Sequence, residues 1–173
     1  MNILNYFQKI TTFVFDVDGV LTNGSINVMP DGSMVRSMNV KDGYSLQLAI
    51  KKGYHILVIS GGNAPEVQTR LNKLGIKNVF MQAEDKLSIL KNFADEHSIS
   101  TEQILFMGDD IPDYNAMHFA GLPSCPANAA WDIKNICKYI SPFKGGEACA
   151  RDVIEKVLKL NNHWVLDTHI KSQ

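Results

Sequence analysis

Strand-length apolar runs alternate with helix-like patterns along most of this chain, and this alternation limits the possible folds more than any other feature. Residues 12–17, 55–59, 79–81 and 104–107 are the apolar runs, and helical spacing such as that of Val67, Leu71 and Leu74 separates them. This order is typical of βαβ units, in which helices cover both faces of a parallel sheet. The sequence therefore predicts a three-layer, Rossmann-like α/β fold.

Helix ends are predicted from capping residues. Asp42, Asn63 and Asp85 each have a side chain that can accept a hydrogen bond from the first turn of a helix, and Gly53 and Gly75 are suited to helix C-termini. The remaining predicted elements are a helix at about 112–120, a strand near Leu122, a helical turn near Ala129, a strand at 139–140 and a helix at about 147–160.

One insertion interrupts the alternation, at about 24–40. Residues 25–29 and 33–40 flank Pro30, Asp31 and Gly32, which favour a turn, so a β-hairpin is predicted here. A two-stranded hairpin is marginally stable alone and should pack on something. The tail at about 161–173 has a weak pattern and is expected to be mobile or to dock on a neighbour through Trp164. The prediction is one domain over 1–173, with no cap domain.

Composition excludes several classes of function. The chain has 173 residues, of which 45% are hydrophobic, and its formal net charge is −1, so it lacks the basic surplus of nucleic-acid-binding and membrane-surface proteins. Its apolar runs have the length of strands, and no membrane span is predicted. The 3 cysteines form no C-x-x-C pair, which favours a reducing cytoplasm over a disulfide framework or zinc site. The expected ligand is a small molecule.

Polar residues follow the predicted strands at the sheet edge where α/β proteins bind ligands. They are Asp16 and Asp18 at the end of the first strand, Ser60 and Gly61 after the second, Lys86 a few residues after the third, and Asp109 after the fourth. Clustered carboxylates need a cation, and hard oxygen donors are the ligands that Mg²⁺ prefers.

This constellation suits phosphoryl transfer. Asp16 can attack phosphorus and form an aspartyl phosphate, and Asp18 can protonate the leaving oxygen and later activate water. Lys86, the Ser60 hydroxyl and the Gly61 amide can hold the phosphoryl oxygens. An alternative is a phospho-acceptor signalling domain, which also uses Mg²⁺ and an aspartate. That class places its acceptor after a central strand without a paired general acid, whereas the comparable second strand here ends in Ser60.

Residues 16–22, 60–62, Lys86 and 108–113 resemble the four motifs of the haloacid dehalogenase superfamily of phosphohydrolases. Over nearly the whole chain, the sequence is more specifically similar to the family of 3-deoxy-D-manno-octulosonate 8-phosphate (KDO 8-phosphate) phosphatases, including a short hairpin instead of a cap and the segments 39–43 and 144–152. The resemblance implies an enzyme of lipopolysaccharide synthesis. It also implies a homotetramer in which a hairpin or tail closes the site of a neighbouring subunit.

The resemblance also assigns roles to individual residues. It implies Asp16 as nucleophile, Asp18 as general acid and base, and Mg²⁺ held by the Asp16 side chain, the Asp18 carbonyl and the Asp109 side chain. The supporting roles it implies are Asp110 and Asp113 in the acidic loop and Ser60 and Lys86 at the phosphoryl group.

Substrate choice is expected to involve cations on the helix after Ser60. Arg70 and Lys73 match family positions that face the substrate, where they would meet the carboxylate of a sugar acid. Related phosphatases acting on the nine-carbon 2-keto-3-deoxynononate 9-phosphate have an acidic residue where this chain has Gly62. The sequence therefore favours the eight-carbon substrate, with the nine-carbon ester as the alternative. Arg151 lies in a segment that departs from the family pattern, and a substrate contact is its hypothesised role.

Overall fold

A computed structural model describes residues 2–171 of the chain. Six strands form one parallel sheet in the order fifth, fourth, first, sixth, seventh, eighth, and the second and third strands form a separate hairpin. In chain order the strands are β1 (Thr12–Phe15), β2 (Asn27–Val28), β3 (Met34–Val35), β4 (His55–Ile59), β5 (Asn78–Phe80), β6 (Ile104–Met107), β7 (Leu122–Cys125) and β8 (Tyr139–Ile140). The predicted parallel α/β fold is confirmed.

Helices cover both faces of this sheet. The α-helices of residues 2–171 are α1 (Ile3–Lys9), α2 (Val40–Lys51), α3 (Pro65–Lys73), α4 (Lys86–Glu96), α5 (Tyr114–Phe119), α6 (Trp131–Ile136) and α7 (Cys149–Leu160). The sequence analysis did not predict α1, which buries only Phe7 among its residues.

Burial on both faces explains why residues 13–15 of the central strand β1 are all apolar. Phe13 and Phe15 belong to one buried cluster, which α1, α2, α3 and α7 complete, while Val14 belongs to a second cluster with residues of α4, α5 and α6. All three side chains are fully buried. Burial of such a side chain contributes roughly 1.5–3 kcal/mol, so β1 is firmly held at the centre of the fold.

Two predicted helix caps are wrong. The cap of α2 is Asn39, whose side chain accepts a hydrogen bond from the Lys41 amide, and Asp42 lies buried inside the first turn. The cap of α3 is Ala64 rather than Asn63, without a side-chain bond, because Pro65 at the first helical position already fixes the backbone. The prediction for Asp85 is confirmed, since its carboxylate accepts from the Ser88 amide.

The hairpin is present but shorter than predicted, with two residues in each strand and Gly32 at φ +83° in the turn.

The C-terminal tail that follows α7 packs on its own chain. The Trp164 ring lies 5.9 Å from the ring of Tyr44 in α2, and the Tyr44 hydroxyl donates to the Val165 carbonyl at 3.2 Å. Residues 172–173 of the predicted tail lie outside the described residues.

Candidate active site

The loop after β1 places the first two aspartates. The Asp16 amide donates to the Met107 carbonyl at 3.1 Å, which extends the pairing of β1 with β6 by one residue. The chain then turns through Val17–Leu21, where Gly19 has φ +95°. A Cβ at position 19 would lie 2.0 Å from Asp109 Oδ2. Only glycine fits here, because both the backbone angle and the adjacent carboxylate exclude a side chain.

We expect Gly19→Ala to lower kcat/KM by about 100-fold, because the new methyl group must displace Asp109 or the loop after β1. Steady-state kinetics of the folded variant test this. Gly53→Ala is the matched control, since Gly53 has φ +84° but no other group within 4 Å of the place where its methyl group would lie. A Gly19→Ala enzyme as active as the Gly53→Ala control would contradict the close approach.

A second loop braces the turn from behind. The Gly146 amide donates to the Val20 carbonyl at 2.9 Å, and the Asn39 side chain donates to the Gly146 carbonyl at 3.1 Å. A Cβ on Gly145 would lie 1.8 Å from the Gly19 carbonyl oxygen. The glycines of segment 144–152 therefore allow their backbone to pack closely against the backbone of the loop after β1.

Lys86, the first residue of α4, joins two of the predicted site carboxylates. Its Nζ donates to Asp16 Oδ1 at 2.8 Å and to Asp113 Oδ1 at 2.6 Å. All three residues are buried, with exposed fractions of 6%, 7% and 1% for Lys86, Asp16 and Asp113. The ammonium group therefore fixes the orientation of the Asp16 carboxylate.

Asp113 organises the acidic loop after β6. Its Oδ2 accepts hydrogen bonds from the amides of Asp109 at 3.0 Å and Asp110 at 3.5 Å. The Asp110 side chain in turn accepts from the Ile111 amide at 2.8 Å. Gly108 allows the close packing, because a Cβ there would lie 2.6 Å from the Asp113 carboxylate. Asp110 and Asp113 thus have the geometry of supporting residues.

Burial and nearby negative charges make Asp16 and Asp109 hard to ionise. Burial, followed by repulsion from Asp113, raises the pKa of Asp16 to about 6 against the opposing effect of Lys86. Burial and repulsion from Asp16, Asp113 and Asp110 raise the pKa of Asp109 to about 7. Burial alone would lower the pKa of Lys86, but the charges of Asp16 and Asp113 outweigh it and raise that pKa.

These carboxylates fit a divalent cation. Asp16, Asp109 and Asp113 each offer an oxygen within 4.8 Å of the others. Both oxygens of Asp113 already accept hydrogen bonds, which leaves Asp16 and Asp109 as the better side-chain ligands. A cation there would offset the repulsion that raises their pKa values. The Asp18 carbonyl stays a predicted ligand.

Proton competition should make cation binding depend on pH. Asp16 and Asp109, with pKa values of about 6 and about 7, hold protons below those values and must lose them to bind Mg²⁺. We expect the Mg²⁺ dissociation constant, measured by calorimetry, to be at least about tenfold higher at pH 5.5 than at pH 8. Equal affinity at the two pH values would contradict this assignment.

The loop after β4 completes the cavity. Ser60 is buried, and its Oγ accepts a hydrogen bond from the Gly62 amide at 3.2 Å. A cavity of about 410 Å³ brings together most of the predicted site residues. Its lining includes Asp16, Asp18, Ser60, Gly61, Gly62, Lys86, Asp109, Asp110 and Asp113.

Arg36, at the base of the hairpin, is a site residue that the sequence analysis missed. Its Nε and Nη2 donate to the two oxygens of Asp18, at 2.7 Å and 3.2 Å. The hairpin therefore packs on the active site through a forked ion pair. The sequence around Arg36 gives no sign of a site residue, because Arg36 directly follows an exposed strand of the hairpin.

The three residues predicted to contact the substrate, Arg70, Lys73 and Arg151, lie in different environments. Arg70 lines a cavity of about 390 Å³ together with Arg36 and Glu66. Lys73 is exposed at the end of α3, outside that cavity. Arg151 lies over the Tyr44 and Trp164 rings at 5.7 Å and 5.4 Å, so its charge helps to hold the tail.

Comparison with known proteins agrees with this geometry. A family model described as haloacid dehalogenase-like hydrolase matches residues 78–151. The curated 3-deoxy-D-manno-octulosonate 8-phosphate phosphatase of Salmonella typhi is 27% identical over 157 residues, which is 91% of this chain and 84% of the relative. No helix within residues 2–171 has the length and apolar character needed to cross a bilayer.

Two solved structures extend the comparison. A probable YrbI family phosphatase from Pseudomonas syringae is 35% identical with a TM-score of 0.90, covering 93% of this chain and 92% of that one. The KDO 8-phosphate phosphatase of Moraxella catarrhalis, in complex with magnesium, phosphate and KDO, is 30% identical with a TM-score of 0.89, covering 93% of each chain. Magnesium is bound in that relative, and the carboxylates of this chain fit the predicted Mg²⁺ cofactor. With its fold, its acidic cavity and its relatives in agreement, the chain belongs to the haloacid dehalogenase superfamily, in the family of KDO 8-phosphate phosphatases.

Proposed function

We propose that this phosphatase hydrolyses KDO 8-phosphate to KDO and phosphate through an aspartyl phosphate on Asp16. The observation that carries the proposal is the buried contact of Lys86 with both Asp16 and Asp113, which presents an oriented carboxylate in the cavity. Relatives named as KDO 8-phosphate phosphatases support the substrate.

In the first step, an Asp16 oxygen forms a bond to phosphorus while the bond from phosphorus to the sugar oxygen breaks. Asp18 donates its proton to that leaving oxygen, so the sugar departs as an alcohol. Lys86 and Ser60 hold the phosphoryl oxygens, and the rigid contacts of Lys86 keep Asp16 in line.

In the second step, Asp18 takes a proton from water as the water oxygen bonds to phosphorus. The bond between phosphorus and Asp16 breaks, which releases phosphate and restores the carboxylate. Mg²⁺, when held by the side chains of Asp16 and Asp109 and the Asp18 carbonyl, supplies positive charge that lets an anionic phosphoryl group approach these carboxylates.

Gly62 favours the eight-carbon substrate, and the arginines near the site could bind the carboxylate of either substrate. Arg70 and Arg36 line the cavity of about 390 Å³, where a sugar-acid carboxylate would find a cation, and position 62 has no acidic side chain to repel it. Lys73, exposed at the end of α3, is proposed to assist from the rim. The nine-carbon ester remains the second candidate, because Arg70 suits either carboxylate.

We further propose the cellular setting. The enzyme would supply KDO for lipopolysaccharide in the cytoplasm, where the free thiols of Cys125, Cys137 and Cys149 stay reduced.

A homotetramer is proposed because the hairpin leaves Val28, Met34 and Val35 at least 49% exposed, an apolar surface suited to a neighbouring subunit.

Kinetics on a panel of sugar phosphates with Mg²⁺ test the function. We expect multiple turnover and a higher kcat/KM for KDO 8-phosphate than for 2-keto-3-deoxynononate 9-phosphate. Preference for the nine-carbon ester would reject the proposed substrate. A long-lived aspartyl phosphate without turnover would reject the proposed reaction and favour the signalling alternative.

A further inference from the structure

Helix α7 begins without a capping side chain of its own. The residue before its first turn is Ala148, which has φ +71° and offers no side-chain acceptor. The Arg151 amide, in the first turn, instead donates to Asp42 Oδ1 at 2.8 Å. First-turn amides have no acceptor within their own helix, and a side-chain oxygen that accepts from one of them fixes that helix end. Asp42 belongs to α2, so one helix supplies the cap of another.

The capped end of α7 lies against the turn that follows β1. Cys149, the first residue of α7, is buried, and its Sγ donates to the Val20 carbonyl at 3.2 Å. The Gly146 amide donates to the same carbonyl at 2.9 Å. A Cβ on Gly146 would lie 2.7 Å from the amide nitrogen of Asn23, so no space separates the two backbones. A displacement of this helix end would therefore displace the turn that carries Asp18.

The first turn of α2 holds this helix end at two points. Asn39, its cap, donates from its side chain to the Gly146 carbonyl at 3.1 Å, and Asp42 accepts from the Arg151 amide. The two contacts lie on either side of residues 147–150, which join the loop before α7 to its first turn. Both ends of this short segment are thus fixed to the same element.

Stabilisation of the fold does not explain why a carboxylate stands at position 42. Asp42 is 3% exposed, and its Oδ2 has no hydrogen-bond partner within residues 2–171. Burial raises the pKa of Asp42 to about 6, against the opposing effects of the Arg151 amide and charge. The ionised form therefore opposes folding at neutral pH. A carboxylate is nevertheless a strong acceptor at a helix N-terminus, which suits a group that must fix the position of α7.

We infer that Asp42 is a positioning residue for the reaction: by capping α7 from α2, it holds in place the loop that supports the turn carrying Asp16 and Asp18. This inference rests on the proposed function, in which those two residues react with the phosphoryl group. Asp42 itself touches neither of them and acts through α7 and the glycines before it.

The test measures kcat and KM at a temperature at which every variant is folded. We expect Asp42→Ala to lower kcat on the order of tenfold, because the turn with Asp16 and Asp18 loses its fixed position. KM should stay within about twofold of the parent value, because Ser60 and Lys86 lie on other elements. Asp42→Asn keeps an oxygen acceptor for the Arg151 amide and should restore kcat to within about twofold of the parent.

Ser100→Ala is the matched control for a general loss of stability. Ser100 caps the short helical turn Thr101–Gln103, which precedes β6 and so lies at the end of the sheet opposite to the catalytic edge. Its replacement should lower Tm without lowering kcat. An equal loss of kcat in Ser100→Ala and Asp42→Ala would overturn the inference, as would an Asp42→Asn enzyme as slow as Asp42→Ala.

A second variant approaches the same loop from Asn39. Asn39→Ala removes the contact with the Gly146 carbonyl and should also lower kcat with little change in KM. In the double variant with Asp42→Ala, we expect a loss smaller than the product of the two single losses, because both residues act through one loop. Independent, multiplicative losses would contradict this shared route. If Asp42→Ala does not fold, parental kcat in Asn39→Ala would overturn the inference, and a loss in kcat alone would support it.

The choice of substrates separates the inference from the proposed function. Each variant is assayed with KDO 8-phosphate and with p-nitrophenyl phosphate, which needs the same attack by Asp16 but carries no sugar acid. A parent enzyme active only on p-nitrophenyl phosphate would overturn the proposed substrate, and the role of Asp42 would then be decided on that ester. Parental kcat in Asp42→Ala would overturn the role of Asp42 and leave the proposed function standing. A parent enzyme inactive on both esters would overturn both.

Discussion

Asp16→Asn is expected to lower kcat by at least about 10⁴-fold, because the amide keeps the volume of the carboxylate but cannot act as the nucleophile. The fold should survive unchanged. Burial and Asp113 raise the pKa of Asp16 to about 6, so its ionised form opposes folding at neutral pH when no cation is bound. We therefore expect the metal-free variant to unfold at the same temperature as the parent or higher.

The pH dependence of this stability has a definite sign. A carboxyl group whose pKa is raised in the folded state stabilises the fold below its unfolded pKa, and that contribution is lost as pH rises through about 6. The Tm of Asp16→Asn relative to the parent should thus increase from pH 4 to pH 7 in metal-free buffer.

The kinetic prediction for Asp16→Asn has its own contradicting outcome. Phosphate release by this variant at the parental rate would exclude Asp16 as the nucleophile.

Lys86→Met is expected to damage both stability and turnover. Removing the ammonium group leaves Asp16 and Asp113 buried together without their shared cation. The loss of one partner from a buried pair costs about 3 kcal/mol in free energy of unfolding, and loss of a charge that stabilises the transferring group lowers kcat on the order of 10³-fold.

Denaturant unfolding and steady-state kinetics measure these two effects. Lys91→Met is the matched control, because Lys91 lies exposed on the same helix and its replacement should change neither quantity appreciably. If Lys86→Met were as stable as this control, the contacts of Lys86 with Asp16 and Asp113 would not stabilise the fold as proposed.

The sheet and the catalytic edge were predictable from the sequence for a common physical reason. Strands β1 and β6 are buried on both faces, so each is recognisable in the sequence as an apolar run. The polar residues directly after these runs are recognisable for the same reason. Parallel strands bring those residues to one edge, which predicts the proximity of Asp16 and Asp109 without knowledge of the loops.

Features that depend on distant contacts were not predictable. The cap of α2 is Asn39 because the chain enters the helix earlier than Asp42 suggests, and the same Asn39 also reaches Gly146. The seven residues of α1 give too short a pattern for a helix to be distinguished. Arg36 contacts Asp18 only because the hairpin folds back over the site. The residues of the hairpin do not by themselves predict in which direction it folds.

The most direct measurement is the identification of the phosphorylated residue. Brief reaction with KDO 8-phosphate and Mg²⁺, followed by borohydride reduction, converts an aspartyl phosphate into homoserine that peptide mass spectrometry can locate. The account predicts homoserine at position 16 in the parent enzyme and also in Asp18→Asn, although both half-reactions of that variant are slower. Homoserine at another position, or none in either enzyme during turnover, would contradict it.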